Sequence, residues 1–133
     1  PSLRERGFGT FEGLTWAEVE QHHPEASRRW RERDPEFGPP GGEVLTDFYE
    51  RCVAVATRLA ERHPGEVLGL VAHGGVLDCL YRAATRIELD APRTWQLANA
   101  SINRLLHAEG ALVLVGWNDG AHLEAAAAAD ASA

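Results

Sequence analysis

The sequence predicts an α/β protein in which helices pack against a mostly parallel sheet. Apolar residues recur at helical spacing over 44–62, which is typical of a helix with one buried face. A short, continuous apolar run follows at 67–72, as in a strand that is buried on both faces. A His-Gly-Gly turn occupies 73–75, and helical spacing resumes at Val76. This order of helix, strand, glycine turn and helix indicates part of an α/β sheet.

The first part of the chain is predicted to contain loops and short helices. Three glycines among charged and aromatic residues predict a loop over 1–14. Thr15 and Glu18 have the spacing of a capping box, which predicts a short helix that ends before Pro24. Residues 25–33 are strongly polar, so a helix there is expected to be mostly solvated.

The last third of the chain is predicted to form a hairpin and a tail. Residues 100–107 and 111–117 have the pattern of two strands, joined by a turn at Glu109-Gly110. The alanine-rich tail at 124–133 has high helix propensity but no apolar face. We therefore expect this tail to be frayed or disordered.

Composition places the chain among ordinary globular proteins. Its 133 residues correspond to one domain, and 13 arginines against 20 acidic residues give a net charge of −7. The acidic balance argues against general nucleic-acid binding, and no apolar stretch is long enough to predict a membrane span. No signal peptide is visible, and the two cysteines form no Cys-x-x-Cys motif, so a cytoplasmic location is expected.

The His-Gly-Gly turn is the first candidate site. His73 would lie at the carboxyl end of a parallel strand, where open α/β sheets bind their ligands. Gly74 and Gly75 permit a tight turn, and the helix that begins there presents free N–H groups and a positive dipole end. An imidazole beside such a terminus suits a phosphate. The alternative is that the His73 ring caps the helix or binds a nearby carbonyl.

Glu5 is the second candidate, and it lies in a glycine-rich loop between Arg4 and Arg6. Its carboxyl group could act as a general acid if burial or a bound phosphate favours the protonated form. The alternative is a solvated loop charge, and this alternative applies more strongly to Glu12.

Other polar and sulfur-containing residues have structural explanations. His22 and His23 are adjacent, so their rings do not share a helical face, and we predict no metal site there. The arginines around Trp30 could form a basic lid over an anion, but a solvated helix face balanced by nearby acids is favoured. Cys52 and Cys79 lie on apolar helix faces and are predicted to be core residues.

Several segments occur together in an order that is typical of one protein family. They are, in chain order, LRERGFGTFEGLTWAEV, PPGGE, VLGLVAHGGVL, NASINRLL and WNDGAHL. Over Leu3–Leu123 the sequence resembles the histidine phosphatase (phosphoglycerate mutase-like) superfamily, and particularly its small phosphatases. The resemblance implies a three-layer αβα fold with a mostly parallel central sheet. It also implies phosphoryl transfer through a phosphohistidine, without a metal or an organic cofactor.

The resemblance implies roles for individual residues. His73 matches the second active-site histidine, which binds the phosphoryl group and stabilises its charge, and Gly74 matches a backbone position that contacts phosphate. Glu5 matches the proton donor to the leaving oxygen, and Arg6 flanks it in the substrate-binding segment. At Val44 the family commonly has Ser or Thr, so a possible helix cap or substrate hydroxyl is lost.

The family's Arg-His-Gly motif, which supplies the nucleophilic histidine, does not occur in this sequence. The resemblance places that motif upstream on the first strand, and the sequence contains no Met. We therefore expect that an N-terminal strand and helix are missing from this chain. Residues 1–123 would then form the C-terminal part of a single domain, and the missing segment or a partner's sheet edge would complete the sheet.

The function that this resemblance implies is hydrolysis of a small phosphorylated metabolite, a phosphomonoester. A mutase is the nearest alternative, but it should have a longer and more basic lid between Glu5 and His73 than this mainly acidic stretch provides. A non-catalytic phosphate-binding domain that lacks the nucleophile is the other alternative. No nucleic-acid or membrane partner is expected.

Overall fold

Helices and one hairpin make up the part of the chain that the structure describes. The computed structural model describes residues 2–130, with side chains described for residues 2–127. The helices are α1 (Trp16–His22), α2 (Pro24–Arg31), α3 (Leu45–Arg62), α4 (Gly74–Thr85) and α5 (Ala121–Asp130). The strands are β1 (Ile102–Ala108) and β2 (Ala111–Asp119), and a 3₁₀ turn at Gly9–Phe11 precedes α1.

Helix α1 begins at the predicted capping box. The Thr15 hydroxyl accepts a 3.3 Å hydrogen bond from the Glu18 N–H, and Glu18 Oε2 accepts a 2.7 Å bond from the Thr15 N–H. The helix ends before Pro24, as predicted, and Pro24 begins α2. On α2, Arg28 forms an exposed 2.6 Å ion pair with Glu25, which confirms the prediction of a solvated polar face.

Helices α3 and α4 form the main core. The predicted helix over 44–62 is confirmed as Leu45–Arg62, and Val44 occupies its N-cap position without a side-chain hydrogen bond. Buried residues of both helices share one cluster, which consists of Leu45, Phe48, Cys52, Ala56, Val76, Cys79 and Leu80. The two cysteines are almost fully buried, which confirms that they are core residues.

The predicted hairpin is also confirmed. Strands β1 and β2 pair antiparallel, with Leu105 opposite Leu114, and the turn between the strands falls at Glu109-Gly110. Leu105 and Leu112 point towards the main core and pack against it. The hairpin therefore covers one side of α4, which begins at the His-Gly-Gly turn.

The prediction of a buried strand over 67–72 is wrong for this structure. These residues pair with no strand in the described part of the chain, whose sheet consists of β1 and β2 alone. Val67 and Val71 are fully exposed, at 100% and 101% relative accessibility. A strand is stabilised by pairing with its neighbours, and within residues 2–130 no neighbour lies beside this run. For the same reason, the predicted mostly parallel sheet is not formed among these residues.

The first part of the alanine-rich tail is helical, and the fraying or disorder expected for residues 124–133 stays a prediction. Helix α5 runs from Ala121 to Asp130, and residues 131–133 lie outside the described part of the chain. Asp119 Oδ1 accepts a 3.1 Å hydrogen bond from the Ala121 N–H at the start of this helix. The high helix propensity of alanine explains why the segment is helical without an apolar face. Across residues 2–130, no helix is long and apolar enough to cross a membrane.

Candidate active site at the start of α4

The Glu5 carboxylate lies against the N-terminus of α4. Its Oε2 atom accepts a 2.9 Å hydrogen bond from the Gly75 N–H, and its Oε1 atom accepts a 2.9 Å bond from the Arg6 N–H. The first bond joins residues that are 70 positions apart in the chain. The structure therefore brings together the two candidates of the sequence, Glu5 and the His-Gly-Gly turn.

Only glycine fits at position 75 while Glu5 keeps this place. A Cβ atom on residue 75 would overlap the Glu5 carboxylate. At Gly74, by contrast, the direction of a Cβ atom is open, and the residue is exposed. The backbone at the first residue of α4 is therefore accessible to a ligand, at the end of the helix where the dipole favours an anion.

His73 occupies the N-cap position of α4. Its backbone is extended (φ −101°, ψ 164°), and its carbonyl accepts a 3.0 Å hydrogen bond from the Leu77 N–H. Its side chain makes no capping hydrogen bond, so the alternative in which the ring caps the helix is wrong. The residue is exposed, and its imidazole is accessible at the same helix terminus as Gly74 and Glu5.

The Arg6 side chain is held by carbonyl groups of the chain itself. Its Nε atom donates to Glu43 O at 2.9 Å, its Nη2 atom donates to Phe37 O at 2.7 Å, and its guanidinium lies 4.2 Å from the Trp30 ring centroid. Burial lowers the pKa of Arg6 to about 10, although the Glu43 carboxylate acts in the opposite direction. Through these two hydrogen bonds, Arg6 links residues 37–43 to residues 3–8, which we call the acid loop. Its contact with substrate stays a prediction.

An ion pair near the acid loop was not predicted from the sequence. Arg51 on α3 contacts both carboxylate oxygens of Glu43 at 2.8 Å, and its Nη1 atom donates to Ser2 O at 2.8 Å. The Arg51 hydrogen bond holds the pKa of Glu43 below its usual value. Helical periodicity gave no signal for this pair, because Glu43 precedes the helix and meets Arg51 only through the path of the loop.

The region that a protein-family model matches includes nearly all of the residues described above. The sequence model of the family described as the histidine phosphatase superfamily (branch 1) matches residues 1–120. The chain belongs to the histidine phosphatase superfamily. Both halves of the site of this superfamily member, the acid loop and the start of α4, lie within the matched region.

Two relatives from Arabidopsis thaliana show how much of a family member the chain represents. Phosphoglycerate mutase-like protein 4 is 34% identical over 125 residues, which is 92% of this chain and 53% of the relative. Metal-independent phosphoserine phosphatase is 33% identical over 125 residues, with 92% of this chain and 50% of the relative covered. The chain therefore spans about half the length of these curated relatives.

Solved structures of the superfamily share the fold of this chain. YhfR of Bacillus stearothermophilus superposes with a TM-score of 0.81 at 27% identity, covering 92% of this chain and 61% of YhfR. A mycobacterial glucosyl-3-phosphoglycerate phosphatase superposes with a TM-score of 0.72 at 30% identity, covering 90% and 63% respectively. These similarities confirm the predicted α/β fold class.

One further charged group in this superfamily member was not predicted. Asp78, on α4, is buried and accepts hydrogen bonds from Arg33, Arg82 and Arg93 at 2.9–3.0 Å. Asp78 and Arg82 are four residues apart on the otherwise apolar face of α4, and that spacing was an available signal. Arg33 and Arg93 lie in segments that are distant in sequence, so no local spacing indicated their contact with Asp78.

Proposed function

We propose that this chain is part of an enzyme that hydrolyses small phosphomonoesters through a phosphohistidine. The supporting observation is the 2.9 Å hydrogen bond from the Gly75 N–H to Glu5 Oε2, which holds a carboxyl group beside His73 at a helix N-terminus. Relatives of this chain are named as phosphatases of phosphoserine and of glucosyl-3-phosphoglycerate, which are small phosphorylated compounds.

In this proposal the phosphoryl group binds at the start of α4. The Gly74 N–H and the His73 imidazole donate hydrogen bonds to its oxygens, and the helix dipole adds a favourable field. The Gly74 N–H is fixed before the reaction, because α4 is anchored in the main core by Val76 and Cys79. Preorganised donors stabilise the negative charge on the phosphoryl oxygens during transfer.

Glu5 moves the proton in both steps of the proposed reaction. A histidine nitrogen attacks phosphorus, the bond to the ester oxygen breaks, and protonated Glu5 gives its proton to the leaving oxygen. Water then attacks the phosphorus of the phosphohistidine, and the Glu5 carboxylate accepts a proton from that water. The bond between phosphorus and the histidine nitrogen breaks, which releases inorganic phosphate and restores the histidine. A phosphate dianion beside Glu5 favours the protonated form that the first step requires.

We infer that the nucleophilic histidine comes from a segment outside these 133 residues. The resemblance to the superfamily implies an Arg-His-Gly motif that this sequence does not contain. The exposed run at 67–72 offers a place for a neighbouring strand, since Val67 and Val71 have no cover among the described residues. Residues 1–123 would then be the C-terminal part of one three-layer αβα domain with a mostly parallel sheet.

The test is a trapping experiment on the full-length protein in the presence of a chelator. We expect a phosphomonoester to be hydrolysed and acid quenching to recover a phosphohistidine. Glu5→Gln should slow both formation and hydrolysis of that intermediate, since it removes the proton carrier. Glu12→Gln is the matched control, because Glu12 is an exposed carboxylate of the neighbouring loop. Hydrolysis without a phosphohistidine would overturn the proposed mechanism.

The same preparation separates hydrolysis from the alternatives. With 3-phosphoglycerate as substrate, isomerisation faster than phosphate release would identify a mutase. Saturable binding of inorganic phosphate without turnover of any ester would identify a non-catalytic binding domain. If the full-length sequence lacks the Arg-His-Gly motif, that result would also favour the hypothesis of a non-catalytic binding domain.

A further inference from the structure

Asp78 on α4 and the three arginines that bond to it, which we call the arginine cluster, carry an excess of positive charge. Asp78 Oδ2 accepts 2.9 Å hydrogen bonds from Arg33 Nη2 and Arg82 Nε, and Asp78 Oδ1 accepts a 3.0 Å bond from Arg93 Nε. Within the described part of the chain, none of these arginines forms an ion pair with another carboxylate. The cluster therefore has a net charge of about +2, in a chain whose overall net charge is −7.

The cluster is bonded to the segment that follows α4 and not to the proposed catalytic residues. Arg33 Nε donates to Leu89 O at 2.8 Å, and Arg82 Nη1 donates to Glu88 O. Among the described residues, no hydrogen bond joins the cluster to Glu5 or to the His-Gly-Gly turn. The proposed phosphatase mechanism therefore gives this positive charge no role.

Several guanidinium N–H groups of the cluster are available to a ligand. Arg82 is fully buried, and its Nη2 atom has no hydrogen-bond partner among the described residues. Arg33 Nη1 and both Nη atoms of Arg93 take no part in the bonds given above, and these two side chains retain exposures of 24% and 42%. A buried charge is costly unless it is paired and hydrogen-bonded. An anion that reached the two partly exposed arginines would lower this cost.

The backbone at Arg33 is strained while its side chain joins the cluster. Its φ of 54° lies in the left-handed region, which residues other than glycine rarely adopt. Its N–H donates to Trp30 O at 3.1 Å, and its side chain reaches across to Asp78. Burial, and then repulsion from Arg82 and Arg93, lowers the pKa of Arg33, although Asp78 acts in the opposite direction. The fold thus keeps Arg33 beside two other cations at a cost that a bound anion would offset.

We propose that the arginine cluster binds a phosphate group, at a site separate from the proposed catalytic residues. A phosphate group carries a charge of about −1.5 to −2 at pH 7 and offers three strong acceptor oxygens. This charge matches the excess charge of the cluster, and planar guanidinium forks bind phosphate through paired hydrogen bonds. Asp78 holds Arg33 and Arg93 in place before binding, so little side-chain entropy is lost. The phosphate group belongs either to inorganic phosphate or to an organic molecule.

The test is a calorimetric titration of the full-length protein with inorganic phosphate. Sodium chloride keeps the ionic strength constant, which excludes general screening as the cause of any change. Arg93→Gln and Arg33→Gln should each weaken binding at this site roughly 10-fold to 100-fold, because each removes charged hydrogen bonds to the phosphate. Arg58→Gln is the matched control, since it removes one positive charge from an exposed position on α3 and should leave binding unchanged.

A parallel titration distinguishes the two sources of the phosphate group. Methylphosphonate resembles a phosphate group attached to carbon, and it is not hydrolysed. Tighter binding of methylphosphonate than of inorganic phosphate at the cluster would indicate an organic ligand, and the reverse order would indicate free phosphate. If neither compound binds in a way that depends on Arg33 or Arg93, the cluster has only a structural role and the proposal is wrong.

The number of phosphates bound separates this proposal from the proposed phosphatase function. If both hold, each wild-type chain binds two phosphates, and the Arg33→Gln and Arg93→Gln proteins bind one over the same concentration range. If the catalytic site does not bind phosphate, the wild-type chain binds one and these variants bind none. Equal binding in all three proteins would overturn the cluster site and leave the phosphatase proposal standing. Thermal unfolding confirms that each variant is folded, and Arg93→Lys, which keeps the charge without the planar fork, should recover part of the affinity.

Discussion

Glu5 and Gly75 are joined by a hydrogen bond that puts a carboxylate where a helix ordinarily binds an external anion. The distance from the Gly75 N–H donor to Glu5 Oε2 is 2.9 Å. One N–H group at the start of α4 is therefore already engaged, so in the proposed mechanism the phosphoryl group would bind beside the carboxylate, at Gly74 and His73. The proposed proton donor would then lie close to the ester oxygen, because both anionic groups would lie at the same helix end.

The contact between Glu5 and Gly75 leads to a prediction for Gly75→Ala. The new methyl group would overlap the Glu5 carboxylate, so Glu5 must move, and turnover of a phosphomonoester should fall by roughly 10²-fold. Gly74→Ala is the matched control for stability, since nothing lies within 4 Å of the added methyl group and Glu5 keeps its place. Steady-state kinetics and urea unfolding measure the two effects. Full turnover in Gly75→Ala would show that the position of Glu5 is unimportant.

A second prediction concerns the His73 side chain. His73→Ala in the full-length protein should reduce turnover by about 10²–10³-fold, because it removes a donor that stabilises charge on the phosphoryl group. The free energy of unfolding should change little, since the ring is exposed and makes no capping hydrogen bond. His22→Ala, which removes an exposed histidine from α1, is the control. Unchanged turnover together with a large loss of stability would instead assign His73 a structural role.

The partly buried ion pair between Glu43 and Arg51 predicts a pH-dependent stability difference. The side chains are only 16% and 17% exposed, so Arg51→Met leaves a poorly solvated carboxylate whose remaining ionic partner is the exposed Arg4 at 4.0 Å. At neutral pH this should cost roughly 1–3 kcal/mol of unfolding free energy. Arg28→Met is the control, because it breaks an exposed pair on α2 and should change stability very little.

The sign of the pH effect follows from Glu43. The Arg51 hydrogen bond lowers the pKa of Glu43 in the folded protein below its ordinary value of 4.5. The contribution of ionised Glu43 to the free energy of unfolding is therefore fully present above pH 4.5. It is lost as the pH falls from 4.5 through the lowered pKa. We expect the difference in unfolding free energy between the wild-type and Arg51→Met proteins to be smaller at about pH 3 than at about pH 7, as measured by urea unfolding. A difference that does not depend on pH would contradict this origin.

Local patterns predicted most of the secondary structure. The capping box at Thr15 and Glu18, the helical spacing over 44–62 and the turn at Glu109-Gly110 each depend on residues that are close in sequence. The prediction of a buried strand at 67–72 failed because burial of a strand depends on its neighbours in the sheet. An apolar run alone carries no information about which segment lies beside it.

The candidate site could be predicted in its parts but not in its assembly. Glu5 and the His-Gly-Gly turn each stood out by residue type and by flanking glycines. Their direct contact, and the binding of the Arg6 side chain to Glu43 O, depend on how the loops fold back over α3 and α4. Arg33 and Arg93 reach Asp78 from separate loops, so no spacing rule could connect them.

The final prediction concerns residues 1–133 on their own. Because we propose that the nucleophilic histidine lies outside them, they should form no phosphohistidine and release no phosphate from an ester. They should also be poorly stable and bind an apolar dye, since Val67 and Val71 are fully exposed. Intact mass spectrometry of the sample, beside an ester assay in chelator with the full-length protein as positive control, measures this directly. Chelator-resistant turnover from a sample whose mass equals residues 1–133 would place the nucleophile within this sequence and overturn its assignment to another segment.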